Sequence, residues 1–136
     1  MFRICKSKIT QQENTDCSTC YKATKYLNIM KVLSIVPSID ISLGGPSYST
    51  VNLCYALAQN GAEVALYTTS PTGEVPELTG NGYKVRYFRK SWPRENLNSN
   101  DMISEIKRVG RSYDVLDISS LWNLTSARAM MVANKI

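Results

Sequence analysis

The chain has 136 residues, 43% hydrophobic and 20% charged, which fits one globular domain and excludes low-complexity, collagen-like and coiled-coil chains. The net charge of +5 hints at nucleic acid, but residues 1–29 hold five Lys/Arg against two acids and residues 30–136 hold eleven against nine. The part that looks folded is nearly neutral, so no nucleic-acid partner is expected.

No apolar run approaches the roughly 20 residues of a membrane span, so no transmembrane segment is expected. The N-terminus "MFRICKSKITQQENTDC" has no apolar stretch of the secretory type. The expected location is therefore cytoplasmic, with the inner membrane face as the place for a peripheral form. Thiols there stay reduced. Cys17 and Cys20 have CxxC spacing, yet with Cys5 they make three ligands in a chain without histidine. A structural zinc wants four, so no metal site is expected. The sequon at Asn123 has no meaning without a secretory route.

Residues 1–29 read as a polar N-terminal extension, disordered or with a short helix over "CYKATKYLNIM" (20–30). From Met30 the pattern alternates. "KVLSIV" (31–36) is a short apolar run suited to a buried parallel strand. A helix follows over 47–60, with Val51, Cys54, Leu57 and Ala58 as its apolar stripe and Gly61 as its stop. "EVALYTT" (63–69) is a second strand, and "SPTGEVPELTGNG" (70–82) reads as a loop. "YKVRYF" (83–88) is a third strand near the sheet edge, with Tyr83, Val85 and Tyr87 on one face and Lys84, Arg86 and Phe88 on the other. The segment "LNSNDMISEIKRVGRS" carries a second helix, capped by Asn98 or Ser99, with Met102, Ile103, Ile106 and Val109 inward. "DVLDIS" (114–119) is a fourth strand, and "TSARAMMVANKI" opens a third helix. This order predicts an α/β fold: a partial Rossmann-like parallel sheet of about four strands with flanking helices. The basic stretch of Lys84, Arg86, Arg89, Lys90 and Arg94 reads as a solvated edge rather than an anionic-acceptor or membrane patch.

The loop over 37–46 leaves the carboxyl end of the first strand, where open α/β sheets bind ligands. Gly44 and Gly45 let backbone approach a ligand closely. Pro46 suits the first helical position. The free N–H groups of Ser47, Tyr48 and Ser49 then form a local anion site, to which the hydroxyls of Ser47 and Ser49 can add bonds. A plain strand-to-helix connector remains an equal reading. The turn is neither GxGxxG nor a P-loop, and without histidine there is no Ser-His-Asp arrangement.

"MKVLSIVPSIDISLGGPSYSTVNLCYALAQNGAEVALYTT" followed by "YDVLDISSLWNLTSARA" resembles the N-terminal, acceptor-side domain of the retaining GT-B glycosyltransferases of family 4, also called group 1. The resemblance covers residues 30–136. It implies a fold of two Rossmann-like domains, with a nucleotide-sugar donor held mainly by the second domain and a carbohydrate acceptor mainly by the first. By motif match, Gly44, Gly45 and Ser47 are the residues that approach the donor diphosphate, and no separate cofactor is implied. Retaining transfer in this family rests on electrostatic preorganisation around the leaving diphosphate.

The family's His-x-His at the end of the fourth strand is here Asp117 and Ser119. These are the candidate catalytic residues, Ser119 as a hydrogen-bonding group and Asp117 as a proton acceptor, with a strand-end carboxylate satisfied by backbone N–H groups as the alternative for Asp117. Trp122, whose ring suits a sugar face, and Asn123 are the candidate acceptor residues. Trp122 as a helix-packing core aromatic is an equal alternative. The donor domain and its paired glutamates are not in this sequence, so the chain reads as a truncated form, inactive alone. Its last strand is expected to expose an unpaired edge, giving marginal stability. A non-catalytic partner subunit that docks with a separately encoded C-terminal domain, or a non-functional remnant, remains open.

Overall fold

The computed structural model describes residues 2–5, 29–40, 42, 45–70, 77–80, 82–92, 97–120 and 122–136. The short helix expected over 20–30 falls largely outside these residues, as do Cys17, Cys20, Gly44 and Arg94.

Four strands run parallel: β2 (Lys31–Ile35), β3 (Glu63–Thr69), β5 (Tyr83–Phe88) and β6 (Val115–Ile118). Two antiparallel strands close the edges, β1 (Phe2–Cys5) on β6 and β4 (Glu77–Gly80) on β5. The sheet order is β1-β6-β2-β3-β5-β4. Helix α1 (Gly45–Gln59) connects β2 to β3, α2 (Asn100–Val109) lies between β5 and β6, and α3 (Leu124–Ala133) follows β6.

The period-two alternation of the strands divides the core between two faces. Val32, Val36, Val64, Leu66 and Tyr83 meet Cys54 of α1 on one face. On the other, Leu33, Ile35, Tyr67, Phe88, Leu116 and Ile118 meet α2 and α3 through Met102, Ile106, Ala129 and Val132. Burying a Leu or Ile side chain completely is worth about 1.5–3 kcal/mol, and Leu33, Ile35, Leu66 and Ile106 are all fully buried. Helices on both faces of a parallel sheet make this a Rossmann-like layer, as the alternating pattern predicts.

The helix ends follow local chemistry. Gly61 has φ +85°, the Ala62 amide donates to the Leu57 carbonyl and the Gly61 amide to that of Ala58, which is a Schellman stop. Ser99 caps α2 by accepting from the Met102 amide, choosing between the two caps expected. Met102, Ile103 and Ile106 point inward as expected, with Val109 packed beside them.

Four expectations are corrected. The segment 70–82 is not all loop, because residues 77–80 pair with β5 as β4, with Gly80 opposite Tyr83 and Gly82 at φ +85° in the turn. The pair Asn81-Gly82 in the sequence is the hairpin signal. Within the extension, residues 2–5 are neither disordered nor helical but form a strand. That strand pairs along β6, so the edge expected to be bare is hydrogen-bonded, Phe2 standing opposite Ile118 and Cys5 opposite Val115. Finally, α1 buries Ser47, Thr50 and Cys54, a stripe turned about one residue from the apolar one expected, with Val51, Leu57 and Ala58 only partly buried.

Candidate functional site

The polar underside of α1 explains that rotation. Beneath it the sheet presents Ser34 from β2 and Asp117 from β6, neighbours in register. The Ser34 hydroxyl donates to Asp117 Oδ2 at 2.9 Å. Asp117 is 2% exposed, and its Oδ1 has no hydrogen-bond partner among the described residues; nor has the buried Thr68 Oγ1. Cys54 packs into the same place. Burial pushes its thiol up to about 11, opposed by the neighbouring Ser34 hydroxyl and assisted by the Asp117 charge. Small polar residues tolerate this interface because the sheet supplies their partners.

At the carboxyl end of β6, Thr50 Oγ1 donates to Ser119 Oγ at 2.9 Å, tying the second turn of α1 to the strand end. The Ser119 amide donates to the Ile35 carbonyl at 2.9 Å, and its own carbonyl accepts from Ser126 Oγ at 2.8 Å. Ser120 then takes φ +62°, a left-handed conformation that a non-glycine residue rarely adopts. Asn123 caps α3: its Oδ1 accepts from the Ser126 amide at 2.9 Å and its Nδ2 donates to the Ser120 carbonyl. Trp122 is 100% exposed, so it is not a core aromatic.

The loop after β2 is held by its own hydroxyls. Ser47 is 4% exposed and donates to the Ser38 carbonyl at 2.8 Å. Ser49 donates to the Pro46 carbonyl at 3.3 Å. Both hydroxyls expected to face an anion are thus turned to backbone carbonyls. Asp40 accepts from the amide and hydroxyl of Ser42, at 2.9 and 2.7 Å, which holds its carboxyl below the ordinary value. Gly45 opens α1, and a Cβ built on it meets nothing within 4 Å among the described residues. Pro46 stands in the first turn, as expected.

Of the candidate residues, the structure brings Asp117 and Ser119 under and beside α1, and Trp122 and Asn123 just beyond. Gly45 and Ser47 lie at the start of the same helix. Asp117 has no open side in this arrangement. Thr50 and Ser34 were not singled out by sequence reasoning. The signal for Ser34 was present: "VLSI" at 32–35 and "VLDI" at 115–118 pair residue for residue, Ser34 against Asp117.

A second polar cluster lies on the opposite face. Arg86 Nη1 is 2.5 Å from Glu105 Oε1, and Arg108 binds both oxygens of Glu105, at 2.6 and 2.9 Å. The Arg108 hydrogen bonds, then Arg86, hold the Glu105 carboxyl below its ordinary value. Arg86 also lies over the Phe88 ring, 5.1 Å from its centroid. The basic stretch is therefore not uniformly solvated: Arg86 is clamped, while Lys84 and Arg89 are exposed.

Among the described residues no group of three or more His, Cys, Asp or Glu could hold a metal ion, and no helix is long and apolar enough to cross a membrane. No family model matches the chain, and neither a curated protein nor a solved structure matches it. The fold and the site define a Rossmann-like α/β layer with a polar seam under its first helix. The functional reading rests on the residues and their geometry.

Proposed function

We propose that the chain supplies the acceptor-side part of a retaining GT-B glycosyltransferase of family 4. In this reading it acts with a donor-binding domain to move a sugar from a nucleotide-sugar donor to a carbohydrate acceptor. One observation carries the proposal. The two segments on which the resemblance rests, the glycine turn with α1 and the end of β6, meet through Thr50 and Ser119 at the carboxyl edge of the sheet. That edge is where open α/β sheets bind ligands.

The roles follow from exposure. The open space at Gly45 among the described residues, together with the N-terminus of α1, suits the donor diphosphate. Ser119, half-buried, offers a hydroxyl near the transferred sugar, and the bare Trp122 ring offers an apolar platform for the acceptor. Ser47 and Asn123 shape the loop and the helix start, and Asp117 acts through Ser34 beneath them.

The test is an amide-shift titration of the isotopically labelled chain with uridine diphosphate and with a panel of methyl glycosides. The proposal expects the diphosphate to move the amides of residues 45–49 and a glycoside to move those of 119–123. No response at millimolar ligand, or responses confined elsewhere, overturns it.

A further inference from the structure

Outside that edge, a groove of about 570 Å³ opens between β5 and α2. This is an ordinary size for a small-molecule site. Tyr87 and Phe88 form part of its β5 wall, and Ser104 and Glu105 part of its α2 wall. Arg86 is already paired with Glu105, which Arg108 also binds. Two charged side chains remain. Arg89 lines the β5 wall and Asp101 the α2 wall, both are exposed, and neither has an ion-pair or hydrogen-bond partner among the described residues.

A free guanidinium and a free carboxylate on opposite walls of one groove are complementary to a ligand carrying both signs. A simple anion would meet Asp101, and a simple cation would meet Arg89. We propose that this groove binds a small zwitterion of the amino-acid type, with its carboxylate on Arg89, its ammonium on Asp101 and its apolar part toward Phe88. Guanidinium–carboxylate pairing favours a planar two-oxygen anion in particular. The proposal is independent of the glycosyltransferase reading, since the groove lies on the α2 side of the sheet, away from α1.

Three probes of nearly the same shape test it: L-phenylalanine, 3-phenylpropionate, which lacks the ammonium, and phenethylamine, which lacks the carboxylate. Affinities are read from amide shifts on the full chain. L-Phenylalanine should move the amides of Arg89, Asp101 and Ser104 and bind about tenfold tighter than either half-charged analogue, the loss expected for one charge-assisted contact. Arg89→Gln should remove the advantage over phenethylamine by weakening L-phenylalanine, while phenethylamine, freed of a like charge, binds no worse than before. Asp101→Asn should likewise weaken L-phenylalanine, while 3-phenylpropionate binds no worse than before. Both residues are exposed, so each variant should keep the parent spectrum elsewhere. Equal binding of the three probes overturns the proposal, as does silence of the groove amides at millimolar L-phenylalanine, or equal weakening of all probes by either variant.

Discussion

Ser34 of β2 and Asp117 of β6 stand side by side in parallel register, and the serine hydroxyl is the one donor that reaches the buried carboxylate among the described residues. Removing it leaves both carboxylate oxygens without a partner. Ser34→Ala should therefore cost about 1–3 kcal/mol, although it deletes a single oxygen. The midpoint of urea unfolding measures this. A loss below a few tenths of a kcal/mol would show that Asp117 is satisfied in some other way.

The acid limb of stability should trace to Glu105. Its folded carboxyl titrates below the ordinary 4.5, so its contribution is present above that pH and is lost as pH falls through the lowered folded value. Glu105→Gln should flatten the stability profile below about pH 4.5. It should also lower stability at neutral pH, because Arg86, packed on Phe88, loses its partner. Urea midpoints taken across the acid range check both halves.

Alkali should act through Cys54 and Tyr113. Burial raises the thiol from 9.0 to about 11 and the Tyr113 phenol from 10.0 to about 12. Groups raised in this way contribute fully below their unfolded values and lose that contribution as pH climbs through the folded ones. Stability should therefore decline from about pH 9 to about pH 12, and Tyr113→Phe should shallow the upper half of the decline. At neutral pH the Cys54 thiol should react with a disulfide reagent only as fast as the native state opens, which kinetic labelling reads directly.

Asn123 and Trp122 are neighbours with separable parts. Asn123→Ala removes the cap of α3 and should cost about 1 kcal/mol in thermal unfolding. Trp122→Ala touches a side chain with no packing to lose and should leave stability within about 0.5 kcal/mol of the parent. A sugar-binding defect in Trp122→Ala at unchanged stability would then belong to the ring itself. A destabilised Trp122→Ala would refute the exposed placement.

β2, β3 and β6 were legible as short, mainly apolar runs, the mark of burial on both faces, and β5 by its alternation. The α2 face was legible because its buried residues are Met and Ile at helical spacing. What escaped was decided by partners. Ser47, Thr50 and Cys54 are buried because hydroxyls, carbonyls and a carboxylate meet them from the sheet and the loop after β2, and no count of apolar residues along α1 reveals that. β1 and β4 are four residues each without the apolar run that marks β6, and each pairs along the outside of a parallel strand. At the candidate site the residue types could be read from the sequence, but not their orientation. Ser47 was expected to add a bond to an anion and its hydroxyl ties the loop, and Asp117, expected as a proton acceptor, is buried.

The chain has two tryptophans, and both stand in water, Trp92 at 87% exposure and Trp122 at 100%. Its indole emission is thus a surface signal. Unfolding barely changes the surroundings of either ring, so fluorescence will under-report denaturation, and circular dichroism or the tyrosines must follow it. A molecule that settles on the carboxyl edge of the sheet would cover Trp122 and shift its colour. The fold therefore carries an intrinsic optical probe that is nearly blind to its own collapse and sensitive to whatever docks beside α3.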